Sequence, residues 1–264
     1  MVDYYDMIFK RKSFHLFRNV GDEKITSDEL AEIEKAYRDF VPLYAEIRTA
    51  IRIVPAQTVN VKRDAEYCIL IYSEKKENYL MNAGYIGEQL DLWLVKHNIG
   101  SLWFGIGKPD EPTCNGMDFV IMIAIHKVSD DTKFRKDCER NRNGFDSRQP
   151  KAKRKPLSEI WSGDGLGVAD IARFAPSACN TQPWYTENKN GELTVFRYKK
   201  PGKRGIMPAA AVSYFNRIDI GIYLCILEIC LCKNGIEFER ELFTDNGSEA
   251  EMTKVAVYRI NVNI

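Results

Sequence analysis

The stretch Pro176-Ser177-Ala178-Cys179-Asn180-Thr181-Gln182-Pro183-Trp184 concentrates two prolines, several neutral hydrogen-bonding side chains and a tryptophan. The prolines fix φ and remove backbone donors, so the loop is stiff. Ser177, Asn180 and Gln182 then present donors and acceptors from a rigid frame. Such a loop suits a plain turn, or one wall of a site for a flat ligand with polar edges. Three further stretches could carry chemistry. Arg11-Lys12-Ser13-Phe14-His15-Leu16-Phe17 offers a guanidinium fork, an ammonium and a hydroxyl, a set that suits a phosphate monoester. Lys153-Arg154-Lys155-Pro156 adds a second basic run. Ser101-Leu102-Trp103-Phe104-Gly105-Ile106-Gly107 ends an apolar strand in two glycines, which permit close backbone approach to a ligand. Taken singly, each has an ordinary structural counterpart: a solvated helix end, a charged linker and a strand-ending turn.

Composition narrows the class. The chain has 264 residues, 45% hydrophobic and 28% charged, as in ordinary globular proteins. Its 38 basic and 37 acidic residues leave a net charge of +1, which gives no whole-chain argument for nucleic acid or an anionic membrane as partner; neither is expected, and any basic site must be local. Seven cysteines, an odd number without a C-x-x-C pair, and only three histidines give no metal pattern. A reduced, cytoplasmic protein is expected. The N-terminal stretch shows no signal-peptide core. The most apolar stretch, residues 218–231, carries Asp219 and Glu228 and reads as a buried helix. Cys225, Cys230 and Cys232 read as small core side chains.

The elements that must position these residues follow from periodicity. Helices are expected over 2–9, 26–50, 79–98, 166–174 and 218–233, the second opening on a Thr26-Ser27-Asp28 capping signal. Strands are expected over 51–55, 67–72, 101–104, 119–126, 194–198 and 255–262, with an aromatic strand-like run after the proline loop. Residues 129–156 read as an exposed connector. A faint echo links residues 85–100 and 219–236: both begin Ile-Gly, continue as an apolar helix and end near Asn. It favours two related halves.

The four stretches together resemble the FMN-dependent nitroreductase family, in its single-chain form with two half-domains. Members open with Arg-x-Ser-x-Arg/Lys-x-Phe, similar to Arg11–Phe17. They carry Pro-Ser-x-x-Asn-x-Gln-Pro-Trp, matched by Pro176–Trp184, the most specific of these signals. Ile99-Gly100-Ser101-Leu102-Trp103-Phe104-Gly105 is similar to the family's Leu-Gly-Ser-x-Trp-x-Gly, and Arg154-Lys155-Pro156-Leu157 to its Arg-Lys-Pro-Leu. The order is unusual. The proline-tryptophan loop normally follows the first motif closely; residues 29–60 show none, and the loop comes only after the Arg-Lys-Pro stretch.

The resemblance implies an α+β, nitroreductase-like fold of two related half-domains, each a mixed sheet flanked by helices, packed as an internal pseudo-dimer. Residues 1–156 would form the first half and 157–264 the second. One FMN per chain would lie between them. Arg11 and Arg154, with Ser13 and Lys12, would hold its phosphate. Gly105 and Ile106 would approach flavin N5. Pro176, Ser177, Ala178 and Asn180 would contact the ring or ribityl chain, and Trp184 would anchor the loop. His15 stands where the family has a fixed cation near the pyrimidine edge, so the reduced flavin would be less stabilised there, or its potential would vary with pH. Cys179 would be a filler. The implied activity is that of an NAD(P)H-dependent flavin oxidoreductase: ping-pong transfer from NAD(P)H, a transient co-substrate, to a nitroaromatic, quinone or similar small-molecule acceptor. An FMN-binding protein without its own turnover (a flavin store, sensor or electron relay) is the other reading. A monomer is expected, because an internal pseudo-dimer removes the usual reason to pair.

Overall fold

Each half of the chain runs helix, proline-containing loop, two strands, long apolar helix, two strands. The computed structural model describes residues 2–61, 63–136, 152–198, 207–248 and 250–260. Helix α1 (Tyr5–Lys10) comes ahead of this run in the first half. Helix α2 (Ser27–Asp39) opens on a reciprocal capping box: Thr26 Oγ1 accepts from the Glu29 N–H at 3.2 Å, and Glu29 Oε2 accepts from the Thr26 N–H at 2.9 Å. It stops well short of the expected residue 50. Pro42 drives the residue before it out of the helical region, and Phe40 is already extended.

Strands β1 (Thr49–Pro55) and β2 (Tyr67–Ser73) follow, then α3 (Tyr79–Lys96), β3 (Ile99–Phe104), the short β4 (Thr113–Cys114) and β5 (Met117–Lys127). The second half has β6 (Trp161–Ser162), α4 (Ala169–Ala172), β7 (Trp184–Lys189), β8 (Glu192–Tyr198), α5 (Ala209–Lys233), β9 (Phe238–Leu242) and β10 (Met252–Ile260). The two sheets share one plan. The first runs β1-β2-β5-β3 and the second β7-β8-β10-β9, with every neighbouring pair antiparallel. The second sheet becomes mixed through β6, which lies parallel to β7. The fold is therefore α+β with two related half-domains.

Several boundaries differ from the sequence reading for local reasons. Helix α4 is shorter than 166–174, because Leu166 and Gly167 take positive φ (53° and 66°) and hold the chain in a turn. Helix α5 begins at Ala209, directly after Pro208, which pre-sets φ for entry. Strand β9 was not expected. Its Phe-Glu-Arg-Glu-Leu pattern reads as charged surface, which is how a sheet edge is commonly protected. Of the expected connector, residues 137–151, which include Cys138 and Lys151, lie outside the described residues, as do 261–262 of the last expected strand. The C-terminal end of the connector packs onto the fold: Ala152 is buried, and the Lys155 N–H donates to Gln182 Oε1 at 2.9 Å. Cys225 and Cys230 are core side chains as expected. Cys232 is exposed, because it turns outward on the last turn of α5.

Helices α3 and α5 cross at the centre. A Cβ on Gly84 would lie 2.0 Å from the Ile218 carbonyl oxygen, and one on Gly221 would lie 1.9 Å from the Met81 carbonyl oxygen. The contact is reciprocal: glycine on each helix meets the residue three before glycine on the other, as across a two-fold axis. This corrects the register of the sequence echo. Gly221 corresponds to Gly84, not Gly87, whose missing side chain instead makes room for Trp103. Both helices are buried nearly all round, so neither shows a strong amphipathic stripe.

Gly84→Ala and Gly221→Ala should each lower the unfolding free energy by about 1–3 kcal/mol or more, since an added methyl must force two backbones apart. Urea denaturation midpoints at unchanged slope measure this.

Candidate functional site

The edge of β3 places the first motif. Ser13 forms a parallel bridge with Ser101, and the Phe14 N–H donates to the Ser101 carbonyl at 2.9 Å. Phe14 and Phe17 are buried and stacked, 5.6 Å apart, which turns Ser13 and the exposed His15 to one side. Beside them opens a cavity of about 260 Å³. The first half contributes Ser13, His15, Arg63, Leu102 to Ile106, and Ile121. The second contributes Pro176 to Cys179, Met207, Pro208, Phe215, Ile218, Asp219 and Ile222.

The proline loop is held in a strained, fully determined shape. Cys179, Asn180 and Gln182 all take positive φ (50°, 54° and 47°). Ser177 Oγ accepts from the Gln182 N–H at 2.9 Å, and the Asn180 N–H donates to the Ser177 carbonyl at 3.0 Å. Gln182 Nε2 donates back to the Asn180 carbonyl at 3.1 Å. Trp184 is fully buried and stacks on Tyr223 at 4.7 Å, which fixes the C-terminal end of the loop. Its N-terminal end is fixed by Asp219, whose two carboxylate oxygens lie 3.0 and 3.2 Å from the Ala178 N–H.

Of the residues singled out from the sequence, Ser13, His15, Gly105, Ile106, Pro176, Ser177 and Ala178 line this one cavity. Arg11, Lys12, Arg154 and Asn180 do not. Arg11 is buried, its Nε donating to Asp91 Oδ2 at 2.6 Å, while Nη2 reaches toward Ser13 Oγ at 3.4 Å. Asp91 also accepts from Ser101 Oγ and, at 2.9 Å, from Trp103 Nε1. Lys12 Nζ donates to the Lys133 carbonyl at 2.7 Å and lies over the Phe14 ring. Arg154 donates to the carbonyls of Phe174 at 2.7 Å and Lys153 at 2.8 Å, and reaches Asn180 Oδ1 at 3.4 Å. Arg11 and Arg154 do converge on one buried group, Glu88. Burial and neighbouring Asp91 push its carboxyl well above the usual range, against the opposing pull of Arg11, Arg154 and Arg135. Gly105 also has a packing use: a Cβ there would lie 2.6 Å from the Phe215 ring, so the glycine seats an aromatic from the other half.

The sequence reading missed several apolar wall residues and two ionisable ones. Arg63 lies between β1 and β2 with its guanidinium 5.8 Å over the Phe104 ring, in a charged loop with nothing to mark it. Asp219 carried one signal, an acid within an apolar helix. Burial raises its pKa to about 8, against the Ala178 hydrogen bond. Among the described residues no cluster of metal-ligating side chains occurs, and no helix is long and apolar enough to cross a membrane.

Two half-domains of one strand plan, meeting at glycines and enclosing a cavity along their seam, define the nitroreductase-like fold. The chain belongs to the family whose model is described as "Putative TM nitroreductase", which matches residues 3–230. Its structure is similar to the crystal structure of a "putative nitroreductase" from Thermotoga maritima, with a TM-score of 0.58, 16% identity, and 98% of this chain and 94% of that one covered. A nitroreductase family protein from Clostridium difficile aligns at a TM-score of 0.43 and 16% identity, covering 61% of this chain and 97% of that one. No curated protein matches the sequence. Family membership supports an oxidoreductase.

Asp91→Ala would leave the Arg11 guanidinium buried without its closest carboxylate. A loss of about 3–5 kcal/mol of stability is expected, measured by chemical denaturation.

Proposed function

We propose that the chain is an FMN-dependent oxidoreductase taking reducing equivalents from NAD(P)H and passing them to a nitroaromatic, quinone or similar acceptor. The observation that carries this reading is the seam cavity, which unites Ser13 and His15 from one half with Pro176, Ser177 and Ala178 from the other. The residues fit the cofactor. Leu102, Phe104 and Ile121 on one side and Phe215, Ile218 and Ile222 on the other offer apolar walls for a flat ring system. Ser13, His15 and Arg63 give the same cavity a polar, basic lining, with Arg11 directly behind Ser13.

Ser13 and Arg63 would hold the phosphate, with Arg11 reinforcing Ser13 and Arg154 holding the proline loop in place through Phe174. This shifts Arg11 and Arg154 toward support, because the first is committed to Asp91. The stiff Pro176–Ala178 backbone would cover the ring without rearranging, so little ordering cost falls on binding. Bound FMN would supply two-electron redox chemistry, while the chain supplies position, electrostatics and exclusion of water. We place the boundary between halves at residues 156–157, treat the pair as an internal pseudo-dimer with one flavin site, and read the protein as a cytoplasmic monomer.

The purified protein mixed with FMN should become yellow after gel filtration, and NADH or NADPH should bleach it. A protein that stays colourless sinks the reading. Bleaching without steady turnover on any quinone or nitro compound would instead favour a flavin store or relay. Arg63→Ala and Ser13→Ala should each weaken FMN binding about tenfold or more by loss of a charge-assisted contact, read by fluorescence titration.

A further inference from the structure

The two halves dock their proline loops in the same way, and with one chemical difference. In the first half, Phe40-Val41-Pro42-Leu43-Tyr44 follows α2, and the Tyr44 N–H donates to Asn82 Oδ1 at 2.9 Å. In the second half, Phe174-Ala175-Pro176-Ser177-Ala178 follows α4, and the Ala178 N–H donates to Asp219. Asn82 stands two residues before Gly84, and Asp219 two before Gly221, so the reciprocal crossing makes them equivalent positions. A degenerate proline loop is therefore present in the first half after all, where the sequence of residues 29–60 shows no such motif. The equivalence also shows that anchoring the loop needs only a side-chain oxygen. An amide does it at Asn82. The half that borders the cavity uses an ionisable acid.

Resting on the flavin-dependent function, we propose that Asp219 is the proton donor of the cavity as well as the anchor of its proline loop. Reduction of a quinone or nitro compound consumes protons as well as electrons. The Asp219 O–H bond would break, an O–H bond on the acceptor would form, and the carboxylate left behind would be reprotonated from solvent at the cavity mouth. Bound flavin, once reduced, would supply the electron pair. A neutral acid suits this position. Asp219 is 3% exposed, flanked by Ile218 and Ile222, and no charged side chain shifts its titration. Its titratable or charged neighbours on the cavity wall are His15, Arg63 and Cys179. On α3, packed against this part of α5, Tyr85 is committed to Glu228 at 2.6 Å, and Glu88 faces Arg11. Burial holds the proton on Asp219 up to about pH 8, so the donor is loaded at neutral pH.

The test is Asp219→Asn, the substitution nature has already placed at Asn82. The variant should bind FMN within about twofold of the wild type, since an amide preserves the anchor. Its turnover with quinone should fall about 100-fold at neutral pH and lack the decline above about pH 8 that the wild type is expected to show. Unchanged turnover with the same alkaline decline overturns the proposal. A second readout needs no flavin. The folded-state pKa lies above the unfolded value of 3.8, so the wild-type apoprotein should lose stability as pH rises from about 4 to 8 and level off beyond. That slope should shrink in Asp219→Asn. Infrared difference spectra of the wild-type apoprotein should show a protonated carboxyl C=O band, absent from the variant, that disappears across about pH 8. A wild type without that band overturns the proposal even if the variant fails to fold. If the wild type shows the band and the slope but takes no FMN, the proposed function fails, and the donor role with it, while the neutral buried acid stands.

Discussion

Everything in this molecule is arranged around one backbone-to-backbone contact. At Gly84 and Gly221 two buried helices approach until carbonyl oxygens occupy the space of missing side chains. Only glycine allows that distance. The contact sets how far apart the two sheets lie and how the chain's halves face each other. It therefore sets the width of the seam in which the cavity opens. Ile218, Asp219 and Ile222, which line the cavity, flank the crossing glycine on α5. A shift in helix separation would move the cavity floor directly.

Burying so much of both helices forces their polar residues to find partners, and the two helices solve this in parallel. Asp91 on α3 collects Arg11, Ser101 and Trp103. Glu228 on α5 collects Tyr85, Tyr258 and Arg240. Counted from the crossing glycines, Asp91 and Glu228 each lie seven residues on. The same stem position thus carries a satisfied acid in each half, with partners recruited from different elements. Buried carboxylates with several donors of this kind define one arrangement of the surrounding elements, because an unpaired alternative is costly. Glu88 is the exception: among the described residues neither of its oxygens has a hydrogen-bond partner, and its carboxyl is pushed upward.

The likeness of the halves is clearer in three dimensions than along the chain. The sheets share strand order, the proline loops share a docking geometry, and the helices share a crossing point, while the sequences of the halves are largely dissimilar. The second-half loop has Pro176-Ser177 with small neighbours and borders the cavity. The first-half loop has Pro42-Leu43-Tyr44, with Leu43 buried and its carbonyl 3.5 Å from Arg240 Nη2. Half-sites in such an arrangement need not remain equivalent, since a single chain removes the requirement that both copies carry the same residues.

The long apolar helices, the strands β1, β2, β3 and β5, and the stiff proline loop were legible in the sequence because periodicity, capping and proline are local signals. So was the convergence of Ser13, His15, Gly105, Ile106 and Pro176–Ala178 on one cavity, through the resemblance that their spacing carries. The edge strand β9 was not, because charged alternation reads as surface. The partners of Arg11 and Arg154 were not, because an ion pair between residues eighty positions apart, or a bond to a backbone carbonyl in another loop, leaves no local trace. Arg63 and Asp219 were decided by tertiary structure alone: one is an ordinary loop cation until β1 and β2 carry it to the cavity, and the other an ordinary polar interruption until burial sets its charge. Sequence determined which segments are stiff, apolar or helical; the helix crossing decided which polar groups face each other, because burial and distance are properties of the packed whole.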